Sequence, residues 1–306
     1  MLFTDGIRKS TTTIRNLIMM KHIFLLLLTM ATVFAYAQPG TEIWLFDLSV
    51  KKNKVRITNG VNIINRKGYD NQPHFHRTLP ILYYSSIREN GRADIFSYNF
   101  ITQVTEKFTE TPEREYSPTL APDGKNISCI IQRDNGAQDL GLYSVDNKEV
   151  KVLINQLVVG YHVWLTADEL ALFVLEGENA TPTLRLYNLQ TQKDSILARN
   201  IGRSLHKVPR KDAFSYVQKN DSGENEIFIY DRKRKTNTAF AKTLPKREDL
   251  LWLNNGLVLM SDGENLFLYK DGWQKIENFN VDKKLKNITR IAVDVKNKKL
   301  AIVVEE

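Results

Sequence analysis

An internal repeat constrains this chain more than any other feature of its sequence. Six short segments share an apolar alternation that ends in an aromatic: EIWLFD, DIFSYN, DLGLYS, TLRLYN, EIFIYD and NLFLYK. Their aromatics follow one another at intervals of 39 to 52 residues, at Phe46, Tyr98, Tyr143, Tyr187, Tyr230 and Tyr269. An alternation of period two predicts a β-strand, and a regular repeat of this length predicts units that pack against their neighbours.

Each repeat contains four predicted strands. The aromatic segment is followed by a polar turn and a second short strand, as in KVRIT and VKVLI. It is preceded by two more strand-like runs, as in SPTLAPDGKNISCII, where Pro122 to Lys125 supply the turn. Four strands in roughly 40 to 45 residues are typical of a β-propeller blade.

The two ends of the sequence predict the number of blades. After the N-terminal segment come EIWLFDL and KVRIT, which correspond to outer strands, and the sequence ends with ITRIAVD and KLAIVVEE, which correspond to inner strands. We therefore predict an all-β fold, a six-bladed β-propeller of four-stranded blades whose ring is closed by N-terminal outer strands pairing with C-terminal inner strands. The alternative, a solenoid of stacked β units, leaves both half-repeats with unpaired edges.

The N-terminal segment has the pattern of a secretory signal. Lys21 and His22 precede the apolar run IFLLLLTMATVF, and Ala35-Tyr36-Ala37 supplies small residues for cleavage after Ala37. We predict that residues 1–18 are an upstream extension from a misassigned start, that residues 19–37 are the signal peptide, and that residues 38–306 form the propeller domain. We expect a periplasmic or secreted protein with no transmembrane segment in its mature chain.

Composition excludes several classes of function. The formal net charge is +8, but the basic residues are scattered among acids, so we expect no nucleic-acid partner. The one cysteine, Cys129, excludes an intramolecular disulfide, and its place in the strand NISCIIQ predicts a buried, inert thiol. The sequence has neither a GxSxG motif nor a glycine-rich phosphate loop, which disfavours nucleophilic catalysis of the familiar kinds.

The segment SPTLAPDGKNISCII, followed by DLGLYSVD, resembles the TolB-like propellers of the bacterial envelope. Their repeats carry an SPDGK turn and then a strand of the form dIyvyd, and the resemblance covers residues 41–306. It implies a six-bladed propeller in the envelope. The segments GYDNQPHF, EYSPT, GYHVW and GRSLH are most similar to a secreted branch that lacks the N-terminal TolB domain, so the partner of full-length TolB proteins does not transfer directly.

Polar residues are predicted to converge at one end of the central channel. In a propeller the innermost strands line the channel, and the loops that lead into them lie at one mouth. Aligning the repeats places Gln72, Ser117, His162, His206, Leu250 and Arg290 at one equivalent position. We predict a ligand-binding mouth built from Asp70, Asn71, Gln72, Glu115, Tyr161, His162, Ser204, His206, Glu248, Asp249 and Arg290. The alternative is an ordinary solvated lining.

The same residues raise two catalytic possibilities. His162, His206 and Gln72 are candidate ligands for a divalent metal, although no HxH or HExxH spacing supports them, and His74 and His76 are expected in packing or turn contacts. His206 and Glu248 are a candidate acid/base pair. We predict no metal or cofactor and identify no catalytic residue.

The sequence therefore favours a monomeric binding scaffold for an envelope protein or glycan. The alternative is a metal-assisted lyase or hydrolase that acts on an acidic carbohydrate at the His162/His206 mouth. Trp164 and Trp252 suit either stacking on a sugar or packing between blades, and packing is the expected use. The six repeated aromatics are expected to pack the blades.

Overall fold

The computed structural model describes residues 39–52, 54–178, 180–220, 222–277, 279 and 285–306. The predicted upstream extension and signal peptide lie outside the described residues. Within them the chain is all-β, with 24 strands arranged in six four-stranded antiparallel sheets. No helix in this part of the chain has the length and hydropathy needed to cross a membrane.

Five of the six blades are continuous in sequence, and each runs from its inner to its outer strand. Counting the blade made by both ends of the chain as blade 1, blade 2 comprises β3 (Asp70–Phe75), β4 (Ile81–Ile87), β5 (Ala93–Asn99) and β6 (Val104–Lys107). Blade 3 comprises β7 (Arg114–Leu120), β8 (Asn126–Gln132), β9 (Gln138–Ser144) and β10 (Val150–Ile154). Blade 4 comprises β11 (Val158–Trp164), β12 (Glu169–Leu175), β13 (Thr183–Asn188) and β14 (Asp194–Arg199). Blade 5 comprises β15 (Ile201–Lys207), β16 (Ala213–Lys219), β17 (Asn225–Asp231) and β18 (Thr236–Lys242). Blade 6 comprises β19 (Leu250–Trp252), β20 (Val258–Ser261), β21 (Leu266–Tyr269) and β22 (Trp273–Lys275).

Blade 1 closes the ring. It joins the outer strands β1 (Thr41–Lys51) and β2 (Lys54–Asn62) to the inner strands β23 (Ile288–Val293) and β24 (Lys299–Glu305). β1 and β24 pair antiparallel without a shift, from Thr41 opposite Glu305 to Asp47 opposite Lys299. The predicted six-bladed propeller and the predicted pairing of its two ends are both confirmed.

The hydrophobic core lies between the blades. It divides into six clusters, and each cluster draws its buried residues from two successive blades, including the pair formed by blades 6 and 1. The second strand of each blade supplies fully buried residues, as Leu170, Ala171 and Leu172 do in β12. Such strands are apolar on both faces because a blade is covered on each side by its neighbour. The result is a ring of packed sheets around a channel.

The repeated aromatics occupy one place in every blade. Each pairs across the sheet with a fully buried residue of the second strand, as Tyr98 does with Leu82 and Tyr187 with Leu170. Five of the six are buried, and Tyr269 packs instead against Phe240. Their expected role in packing the blades is confirmed.

Candidate functional site

The inner strands of the propeller are irregular where they approach the mouth of the channel. The pairing register shifts in β3, β7, β11, β15 and β23. In β3 and β7 the shift falls at Gln72 and Ser117, which have φ values of 58° and 55° and are each followed by a proline. Proline has no N–H to donate to the ladder, so the chain forms a bulge there and re-aims the neighbouring side chains.

The observed pairing separates the two histidines that the repeat alignment made equivalent. His162 pairs with Leu172, two residues beyond Leu170, whereas His206 pairs with Ser215, one residue beyond Phe214. Leu170 and Phe214 are equivalent, since each pairs with the repeated aromatic of its blade. The alignment was therefore wrong by one residue. A one-residue offset in a strand turns a side chain to the opposite face, and the irregular stretch of β15 between Ile201 and Leu205 is its structural cause.

His162 faces blade 3 and is part of a buried hydrogen-bond cluster. Its Nε2 lies 2.6 Å from the Oγ of Ser128, which also accepts a hydrogen bond of 2.8 Å from Nε1 of Trp164. The Ser128 hydroxyl donates to the carbonyl of Thr119, so Nε2–H of His162 is the donor to Ser128. Burial lowers the pKa of His162 to about 3. The imidazole is neutral at physiological pH and links two blades.

His206 faces the opposite interface, towards blade 6. Its Nε2 lies 3.1 Å from the Oγ of Ser204, and burial lowers its pKa to about 4. His74, which occupies the same register position in blade 2, also has a pKa of about 4 because of burial. Glu248, the candidate acid/base partner of His206, instead forms an ion pair with Arg203.

Five residues from four blades form a polar network across the top mouth, which is the end of the channel where the inner strands begin. The guanidinium of Arg203 lies 2.5 Å from Oδ2 of Asp249 and 3.3 Å from Oε1 of Glu248. Nη1 of Arg290 is 3.7 Å from Oδ1 of Asp249, and its Nη2 donates to the hydroxyl of Tyr161 at 2.8 Å. We call Tyr161, Arg203, Glu248, Asp249 and Arg290 the mouth network.

The mouth network reaches across the ring. Arg290 belongs to blade 1 and Tyr161 to blade 4, and these blades lie opposite each other in a ring of six. The Arg290 guanidinium also lies 5.2 Å from the centroid of the Tyr161 ring. Burial disfavours the charge of Arg203, but the nearby Asp249 outweighs it and raises the pKa of Arg203. The two arginines of the network are therefore held in place by the carboxylates of Glu248 and Asp249 and by the hydroxyl of Tyr161.

Two cavities adjoin the mouth network. The central channel encloses about 750 Å³ and is lined by residues from all six inner strands, including Gln72, Tyr161, His162, Ser204 and His206. A second cavity of about 460 Å³ opens between blades 5, 6 and 1. Arg203, Asp249 and Arg290 line both, and Glu248 lines the second. Eight of the eleven predicted mouth residues thus line one or both cavities.

The three other predicted residues line neither cavity. Asp70 and Glu115 are fully buried, and Asn71 is almost so. Burial raises the pKa of both acids. Nη2 of Arg66 lies 3.1 Å from Asp70, while Glu115 accepts hydrogen bonds from Thr109, Thr111 and Tyr143. These acids hold the beginnings of β3 and β7 in place, so we leave them out of the proposed site.

Gln72 links two blades at the rim of the channel. Its Oε1 accepts hydrogen bonds of 2.8 Å from the backbone N–H of Ser117 and from the hydroxyl of Ser85. The three candidate metal ligands therefore have different neighbours: Gln72 binds Ser117, His162 binds Ser128 and His206 contacts Ser204. Across the described ranges no group of three or more His, Cys, Asp or Glu residues is arranged to hold a metal ion. The absence of a cofactor stays a prediction.

Trp164 and Trp252 pack between blades. The indole N–H of Trp252 donates to Ser215 of blade 5 at 2.8 Å, in the same way as Trp164 binds Ser128 of blade 3. Both indoles are buried. Cys129 is fully buried as predicted, and burial raises the pKa of its thiol.

Arg203 is the member of the mouth network that sequence reasoning missed. In blade 5 the repeat position and the two residues before it are Ser204, Leu205 and His206. Because the bulge of β15 shifts the register by one residue, Arg203 lies just before these three. Lys219, Lys246 and Arg247, which line the second cavity, were missed for a related reason. They lie at the end of β16 and in the loop before β19, and their cluster of basic charge is visible only once blades 5 and 6 are folded.

No protein-family model matches this sequence, and no curated protein matches it. Solved structures do match. TolB from Acinetobacter baumannii is 12% identical with a TM-score of 0.57, and the match covers 87% of this chain and 64% of that one. A protein assigned as TolB from Agrobacterium tumefaciens is 10% identical with a TM-score of 0.62, covering 88% and 99%. A chain of the nidogen/laminin complex is 12% identical with a TM-score of 0.58, covering 87% and 98%. At these identities the likeness concerns the fold.

Proposed function

We propose that this TolB-like six-bladed propeller is an exported scaffold that binds an envelope protein at the top mouth of its channel. The observation that carries the proposal is the mouth network, in which charged and phenolic groups from four blades meet at one concave end. The TolB neighbours and the nidogen/laminin complex support a protein-binding role for the fold in general. Because one fold serves many functions, the proposal rests on the residues at the mouth.

The residues at the mouth are of the types that dominate protein interfaces. Tyrosine and arginine are enriched among the residues that contribute most binding energy, since each offers a large contact area together with a polar group. Tyr69 lies close enough to Tyr161, Arg203 and Arg290 to interact with them electrostatically. Its ring packs edge-to-face on that of Tyr116, with centroids 6.5 Å apart. Asp249 holds Arg203 and Arg290 in place before a partner arrives, which reduces the entropy lost on binding.

Export and a monomeric state belong to the same proposal. The propeller is closed by its own strands, so a ring of this kind needs no second copy to cover an open edge. The signal-like pattern before Gln38 supports a periplasmic or secreted location, and the partner is then sought among envelope components.

Capture of a partner from an envelope extract tests the proposal. The immobilised mature protein is compared with an Arg290→Gln variant, which removes the charge that joins Asp249 to Tyr161. We expect at least ten-fold less partner on the variant, as for an interface residue of high energetic weight. The control is Arg234→Gln, which removes an exposed arginine from the β17–β18 turn at the other end of blade 5. Equal capture by all three proteins would count against the mouth as the binding site.

A further inference from the structure

The second cavity beside the mouth network has a distinct chemical character. It lies between the beginnings of β15, β19 and β23, and its volume of about 460 Å³ is within the range of ligand pockets. Five of its lining residues are basic and two are acidic: Arg203, Lys219, Lys246, Arg247 and Arg290, with Glu248 and Asp249. We call this cavity the cationic cleft. A concave surface with an excess of one charge concentrates ions of the opposite charge.

The acids of the cationic cleft do not neutralise all of its bases. Glu248 and Asp249 are engaged by Arg203, and Asp249 also by Arg290. Arg247 donates to the backbone carbonyl of Asp262, and its charge also helps to lower the pKa of the Asp262 carboxyl. The positive charges that remain are those of Lys219 and Lys246.

Lys219 and Lys246 are the basic residues most available to a ligand. Lys219 ends β16, and Lys246 lies in the loop before β19. Both are exposed, and within the described ranges neither forms an ion pair. Lysine ammonium groups donate up to three hydrogen bonds and suit carboxylate oxygens. Two such groups on one cleft fit a ligand that carries more than one carboxylate.

A buried hydroxyl in the cleft also has no partner among the residues that the structure describes. Thr289 lies in β23 at the register shift between Ile288 and Arg290, and it lines the cleft. Its Oγ1 is buried and forms no hydrogen bond with any described residue. Buried polar atoms in folded proteins nearly always have a partner, and a ligand in the cleft is one that would satisfy this hydroxyl.

We infer that the cationic cleft binds an acidic peptide segment with at least two carboxylates. The inference deepens the proposed function, on which it rests, because the segment belongs to the protein partner at the mouth. A peptide is favoured over an acidic sugar since none of the described residues lining the cleft is aromatic, and sugar rings are commonly held by stacking on aromatic faces. Asn200 and Asn225 also line the cleft, and their Nδ2 groups donate to the backbone carbonyls of Lys219 and Arg247, so each offers its side-chain oxygen to a peptide N–H.

Fluorescein-labelled tetraglutamate is the probe for this inference. Its binding to the mature protein is followed by fluorescence anisotropy at low salt, and we expect saturable binding that weakens as salt is added. A double variant, Lys219→Ala with Lys246→Ala, is expected to bind about five-fold more weakly, as for two exposed ion pairs. Both lysines are exposed, so the double variant is expected to fold.

The matched control removes the same charge elsewhere. Lys233→Ala with Lys235→Ala changes two exposed lysines in the β17–β18 turn, at the end of blade 5 remote from the cleft. We expect tetraglutamate to bind this variant as it binds the parent protein. An equal loss in both double variants would show attraction to net charge alone and would overturn the inference. Tetragalacturonate binding in place of tetraglutamate would overturn it in favour of an acidic glycan.

Thr289→Val tests the buried hydroxyl with an isosteric side chain. We expect tetraglutamate to bind about three-fold more weakly, as for the loss of one hydrogen bond, with no fall in the thermal midpoint. If Thr289→Val bound tetraglutamate as tightly as the parent protein, the hydroxyl would not be part of the binding site. If tetraglutamate fails to bind while Arg290→Gln still loses its envelope partner, the inference fails and the proposed function stands. If tetraglutamate binds but no envelope partner is captured, the proposed function fails, while the cleft is still shown to bind an acidic peptide.

Discussion

Ser128 and Ser215 occupy equivalent positions but hold different numbers of buried groups. Ser128 binds both the indole of Trp164 and the imidazole of His162, whereas the side chain of Ser215 binds, among the described residues, only the indole of Trp252. We expect Ser128→Ala to lower the free energy of unfolding by about 2 to 3 kcal/mol, and Ser215→Ala by about 1 to 2 kcal/mol, because each stranded polar group has its own cost. Urea unfolding followed by tryptophan fluorescence measures both. Equal losses would contradict the role given to His162.

His162 also predicts how stability depends on pH. Its pKa falls from an ordinary 6.5 to about 3 in the folded protein, so the unfolded chain binds the proton more tightly between these values. The stabilising contribution is complete above pH 6.5 and is lost as the pH falls towards 3. We expect the loss of this contribution to lower the free energy of unfolding by about 2 kcal/mol between pH 7 and pH 5.

This prediction is measured by comparing how steeply the free energy of unfolding changes with pH in two proteins. The free energy of unfolding of the parent protein and of a His162→Gln variant is measured by urea titration at several pH values. Buried Asp70 and Glu115 have raised pKa values and change stability in the opposite direction, but they do so equally in both proteins. The difference between the two slopes therefore reports His162, and parallel pH profiles would contradict the prediction.

At the scale of a strand, the bulge of β15 depends on the carboxylate of Glu248. Oε2 of Glu248 accepts a hydrogen bond of 3.3 Å from the backbone N–H of Arg203, and a Cβ added to Gly202 would overlap this oxygen. We expect Gly202→Ala to displace the carboxylate and lower the free energy of unfolding by about 1 kcal/mol, since it removes that hydrogen bond.

A double-mutant cycle measures this coupling. In a Glu248→Ala background no carboxylate stands in the way, so we expect Gly202→Ala to leave the free energy of unfolding unchanged. Urea unfolding of the four proteins gives the coupling free energy. Additive effects of the two substitutions would contradict the proposed link between Glu248 and the bulge.

The strands and their order in the ring followed from the sequence because they depend on local patterns. The alternation of apolar residues and the repeated aromatics identify each blade, and the two half-repeats identify the closure. The bulges did not follow in the same way, since they depend on how an inner strand fits its neighbours in the ring. One shifted residue in β15 was enough to turn His206 to the other face and to hide Arg203.

The candidate site was predictable only in part for a similar reason. Tyr161, Asp249 and Arg290 were found because they adjoin the repeat position, and the structure brings them together. Asp70 and Glu115 were equally polar in sequence, but neighbouring hydroxyl and arginine side chains bury them. Whether a polar residue faces the mouth or the core depends on partners far away in sequence.

At the scale of the whole molecule, stability depends on the closure of the ring. The strands β1 and β2 bury Ile43, Leu45, Phe46, Leu48 and Ile57 against blades 1, 2 and 6. Burial of five such side chains stabilises the fold by about 10 kcal/mol. This is similar to the entire stability of an ordinary domain, about 5 to 15 kcal/mol.

Removal of residues 1–62 is therefore expected to abolish cooperative folding. The truncated chain leaves the edge of β24 unpaired, and we expect it to aggregate and to show no sharp thermal transition by circular dichroism. The control is a chain that begins at Pro39, which retains every strand of the ring. A truncated chain that is monodisperse by size-exclusion chromatography and melts at the same temperature as the control would contradict this prediction.

The pairing of β1 with β24 also determines the order of folding. β1 is the first strand of the propeller to leave the ribosome, yet its partner β24 is the last. Blades 2 to 6 can assemble from neighbouring strands, while β1 keeps one edge of unpaired backbone groups until β24 is made. We therefore expect the slow step in folding to be the search of β1 for β24, since contacts between distant parts of a chain form slowly. A propeller whose ring cannot close before β24 is made can still pass through a narrow export channel as an unfolded chain until then.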